Sequence, residues 1–153
     1  MAVGDELGKV QNVANCEENW ILIQKWRKIC QDTHTKCSQS TIDRQLPTRL
    51  IYVGIKDLDL KLCQTDSLPP ETPYLTLSHC WGRKTFTTLT RGNFQEFLSQ
   101  IPIISLSKTF REAIETTRIL GFRYLWIDSL CIIRGDEIDV RTIAFLKFSI
   151  LVF

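Results

Sequence analysis

Two short apolar runs, each ending in small or polar residues, constrain this chain most: Tyr74-Leu-Thr-Leu-Ser-His-Cys-Trp-Gly82 and Tyr124-Leu-Trp-Ile-Asp-Ser-Leu-Cys-Ile132. Runs of this length read as buried strands that deliver functional groups at their carboxyl ends. Between them lies one amphipathic stretch in which Phe110, Ala113, Ile114, Thr117 and Leu120 share a face at helical spacing. Ser107 is placed to cap its start, and Gly121 supplies a left-handed stop. Strand, helical crossover and strand predict a right-handed βαβ unit, hence neighbouring parallel strands in an α/β layer.

Upstream, Leu22, Ile23, Trp26, Ile29 and Cys30 form one apolar stripe and predict a helix over about 15–30, with Asn19 available as its cap. The polar stretch 31–48 closes on Pro47 and leads into a predicted strand, Arg49-Leu-Ile-Tyr-Val53. A second short strand is expected over 58–62, making a hairpin with the first. Pro69, Pro70 and Pro73 then punctuate the chain too densely for a helix or a central strand. The main domain is therefore expected to start at residue 73, after an N-terminal helical and hairpin region, 1–72. A short helix is expected around 93–99, ended with the help of Pro102.

Composition narrows the function classes. With 153 residues, 44% hydrophobic and 24% charged, the chain is long enough and apolar enough for one globular domain rather than a disordered segment. A net charge of +2 without a basic run gives no footprint for nucleic acid or a membrane surface as partner. The N-terminus places acidic residues where a signal peptide would carry positive charge, and the six scattered cysteines suit reduced thiols, so a cytoplasmic location is expected. From Val140 to Phe153 the sequence turns apolar and β-prone with only Arg141 and Lys147 charged. That stretch is too short for a membrane span, which needs about 20 apolar residues.

Several residues could carry chemistry. Ser78, Trp81 and Gly82 stand at the carboxyl end of the first predicted strand, where open α/β sheets bind ligands. Trp81 could stack on a ring and Gly82 admit a close backbone approach, or they could be a core plug and a turn residue. Asp128 interrupts an apolar strand, so it must be satisfied by hydrogen bonds or sit at the exposed end; it reads either as a ligand-binding or catalytic carboxylate beside Ser78 or as an acceptor for loop amides. His79 and Cys80 are adjacent and point to opposite faces of a strand, which argues against a nucleophile–base pair. Cys30, His34 and Cys37 have zinc-compatible spacing, with Cys16 or Cys63 as a fourth ligand, but without paired CxxC units packing roles weigh more.

Three ordered motifs, Leu77-Ser-His-Cys-Trp-Gly82, Lys108-Thr-Phe-Arg-Glu-Ala-Ile114 and Arg123-Tyr-Leu-Trp-Ile-Asp-Ser-Leu-Cys-Ile132, resemble the fungal heterokaryon incompatibility (HET) domain. Upstream, Trp26, Cys30, His34, Cys37 and Leu46-Pro-Thr-Arg-Leu50 also look like the region preceding such domains. Ser107 stands where the family usually has proline, and Arg134 where it commonly has glutamine. The resemblance implies a TIR-like or flavodoxin-like parallel sheet and a module that signals cell death through protein partners or self-association. TIR-type relatives include enzymes that cleave NAD, which by analogy makes Ser78, Trp81, Gly82 and Asp128 a nucleotide site. The family usually continues beyond Asp139 with an acidic helix and more strands, so residues 73–139 are expected to be the first half of the domain. Residues 140–153 are then a divergent tail, read as a gene-model artefact or a genuine short form, and loss of function is a third reading.

Overall fold

A computed structural model describes residues 16–33, 46–79, 86–137 and 139. The chain divides into two compact units, Met1–Asp43 and Arg44–Phe153. In the first, helix α1 spans Glu17–Thr33, opens on two glutamates that suit the positive end of a helix dipole, and buries Asn19 and Leu22. It runs slightly beyond the expected end, and Thr33 turns its hydroxyl back onto the Ile29 carbonyl at 2.7 Å.

The second unit is built on a four-stranded mixed sheet of β1 (Arg49–Tyr52), β2 (Lys61–Gln64), β3 (Leu75–Leu77) and β4 (Tyr124–Ile127), in the order β2-β1-β4-β3. Strands β3 and β4 are parallel, with Leu75 opposite Leu125 and Leu77 opposite Ile127, as the strand–helix–strand pattern requires. The parallel βαβ pair expected from the sequence forms, preceded by the expected N-terminal helix and hairpin, and the sheet as a whole is mixed. The upstream hairpin joins the same sheet, β1 running antiparallel to both β2 and β4.

Paired residues share a face, so Leu62, Ile51, Leu125 and Leu75 make one apolar row across all four strands. Each is no more than 3% exposed, which places the centre of the core on that row. Helix α2 (Phe94–Ser99) packs on β2, and helix α3 (Lys108–Ile119) packs on β4. Phe97, Phe110 and Ile114 are the helices' buried apolar side chains.

Helix α3 follows its sequence signals closely. The Ser107 hydroxyl accepts the Phe110 amide at 3.3 Å, and the Gly121 and Phe122 amides donate back to the Arg118 and Thr117 carbonyls. Gly121 has φ of +81°, the left-handed conformation that such a stop needs.

The second strand begins at Lys61, not at residue 58, because Asp57–Asp59 closes into a 3-10 turn. The Asp59 carboxylate accepts the Ile55 and Lys56 amides, and Gly54 at φ +56° lets it approach: a Cβ on Gly54 would lie 2.1 Å from that of Asp59. Arg118 at the end of α3 fastens the same turn, donating to the Val53 and Lys56 carbonyls and to Asp57. Among the described residues no helix is long and apolar enough to cross a membrane.

Candidate functional site

Strands β3 and β4 run parallel, so their carboxyl ends lie side by side and bring together the residues that follow each of them. After β3 come Ser78, which is exposed, and His79, which is half-buried. After β4 the chain turns at once into the single-turn helix α4 (Asp128–Cys131). Asp128 therefore stands at the strand end as the first residue of a helix and does not interrupt a strand. Its carboxylate accepts the Ser129 amide at 2.6 Å. The group that meets it across the two strand ends is the imidazole of His79, with Nδ1 3.4 Å from Oδ1.

Aromatic rings fix the plane of that imidazole. Phe86 and Phe110 meet it nearly at right angles, with centroids 5.4 and 4.9 Å away, and also meet each other at 5.8 Å. Edge-to-face contacts are the favoured geometry for such rings. Phe110 belongs to the first turn of α3, whose Ser107 cap holds it in place. The ring is thus held in the cluster with Nδ1 turned toward the Asp128 carboxylate.

A second cluster secures the far end of α4. Arg49 on β1 is only 6% exposed, and burying its charge requires a partner. Its Nε donates to the Cys131 carbonyl at 2.8 Å, and Nη2 meets both oxygens of Asp139. Asp139 also accepts the Ile133 amide at 2.6 Å. Along the other side of α4, the Leu89 amide donates to the Ser129 carbonyl and the Arg134 amide to the Leu89 carbonyl. Cys131 lies within this frame, and burial pushes its thiol up to about 12.

Ser78 and Asp128 thus lie at the two adjacent strand ends, and the ring facing Asp128 is that of His79. Trp81, Gly82 and Cys80 lie outside the described residues, as do His34 and Cys37. Cys30 is half-buried on α1, and among the described residues no group of three or more His, Cys, Asp or Glu side chains is placed to hold a metal ion. Sequence reasoning gave His79 no partner and missed Arg49. A lone charge opening the otherwise apolar run Arg49-Leu-Ile-Tyr-Val53 was the available signal for the latter.

Comparison with curated proteins and with solved structures finds no match. A family model does match: residues 74–145 fit the family described as Heterokaryon incompatibility protein (HET). The match takes in β3, α2, α3, β4 and α4, together with Ser78, His79 and Asp128, and runs past Asp139. Over residues 74–145, this chain carries a heterokaryon incompatibility (HET) domain.

Proposed function

We propose that the domain over residues 74–145 is a signalling or effector module of heterokaryon incompatibility, which promotes regulated cell death by associating with protein partners or with further copies of itself. The family match carries this reading. The strand-end cluster gives the module a fixed local geometry, in which the Asp128 carboxylate accepts the Ser129 amide and faces the His79 ring.

Induced expression of the full chain in a fungal host tests the proposal. Cell viability is expected to fall below that of an empty-vector control, and Asp128→Ala is expected to restore it at equal protein level. Normal viability with the intact protein accumulated would remove the reading. Cellular NAD is expected to stay constant until viability falls. Early NAD loss that depends on Asp128 would instead make the module a TIR-like NAD-cleaving enzyme.

A further inference from the structure

We infer that Arg49, from a strand outside the matched residues 74–145, is a positioning residue of the His79–Asp128 cluster. The inference rests on the reading of that cluster as the working part of the module. Helix α4 is one turn long, and its first residue, Asp128, is the one that meets His79. So short a helix has too few internal hydrogen bonds to set its own direction.

External bonds set it instead. At its carboxyl end the Cys131 carbonyl accepts Nε of Arg49, and just beyond, the Ile133 amide donates to the carboxylate that Nη2 of Arg49 holds. The Ile132 amide closes the turn on the Asp128 carbonyl at 2.9 Å, so any tilt at Cys131 is passed to Asp128. Arginine suits the task because its planar fork serves a carbonyl and a carboxylate at fixed angles, which a lysine ammonium does not reproduce.

The test uses the ring signals of His79 in proton–carbon NMR spectra of the full chain, assigned by their loss in His79→Gln. Arg49→Lys, which keeps the charge and loses the fork, is expected to shift both His79 ring signals. Lys108→Ala removes an exposed pair with Glu112 and is expected to shift neither. In the viability assay Arg49→Lys is expected to weaken cell death at equal protein level. A folded Arg49→Lys protein with unmoved His79 signals would overturn the inference. If that variant does not fold, Asp139→Asn decides, since it keeps the bond from Arg49 to Cys131. It is expected to shift the His79 signals away from their wild-type positions, and no shift would be the overturning result. Should the wild-type chain cause no death while Arg49→Lys still moves His79, the functional proposal fails and the positioning role stands.

Discussion

At the scale of single residues, burial and amide bonding set the chemistry of two side chains in opposite directions. Cys131 is held protonated, its thiol raised from 9.0 to about 12 chiefly by burial. The folded state therefore keeps a proton that the unfolded chain has released, so this contribution to stability is complete below pH 9 and is lost as pH rises toward 12. Cys131 is expected to react with iodoacetamide after Cys16, Cys30 and Cys63 in the native protein, as peptide mapping would read, and at a common rate in denaturant. Asp59 goes the other way: the Lys56 and Ile55 amides hold its carboxyl below the ordinary value. Its contribution is present above about pH 4, where an unfolded aspartate ionises, and is lost as pH falls through the lower folded value. Urea midpoints at pH 7 and pH 3 are expected to differ less for Asp59→Asn than for the wild type. Neither behaviour was legible in the sequence, because each depends on which backbone groups the fold brings to the side chain.

At the scale of elements, α3 is where sequence and structure agree best. Its cap, its apolar face and its glycine stop are all local signals, separated by no more than a few turns. Ser107→Ala removes the bond to the Phe110 amide and is expected to cost about 1 kcal/mol, measured by urea unfolding. The parallel pairing of β3 and β4 was legible too, since a helix between two buried strands leaves few alternatives. The hairpin's place was not. Arg49 to Gln64 reads as two short strands, but nothing in their alternation says that β1 will lie against β4, a partner more than 70 residues away. The second strand's start was misjudged for a similar reason: Leu58 carries the apolar signal, yet the Asp59 bonds to the preceding amides close a turn there.

At the scale of the whole molecule, the family match and the folded sheet have different limits. The match begins at residue 74, whereas two of the four strands precede it. Without them β4 would lose its antiparallel neighbour, and the core would lose Leu50, Ile51, Val53 and Leu62, all at most 1% exposed. Burying side chains of this size is worth roughly 1.5–3 kcal/mol each, comparable in sum with the whole stability of a small domain. A fragment of residues 74–145 is therefore expected to show no cooperative thermal transition by circular dichroism, while the full chain shows one. The candidate site was legible only in part at this scale. Ser78 and Asp128 follow from strand ends, but the His79–Asp128 pairing needs the two strands in register, and the role of Arg49 needs the hairpin seated beside β4.

The turn at 54–59 has a consequence for how the protein meets a protease. Lys56 and its neighbours Ile55, Leu58 and Asp59 are exposed, and an exposed loop tip is where nicking normally begins. Trypsin, however, must draw the scissile bond into its cleft as an extended strand, and here the backbone on both sides of Lys56 is pinned by Arg118 and Asp59. Cleavage after Lys56 therefore waits on local unfolding, which sets its rate by the opening equilibrium of the turn. An intact Lys56–Asp57 bond under limited digestion would mark this turn as an exposed surface that resists cutting.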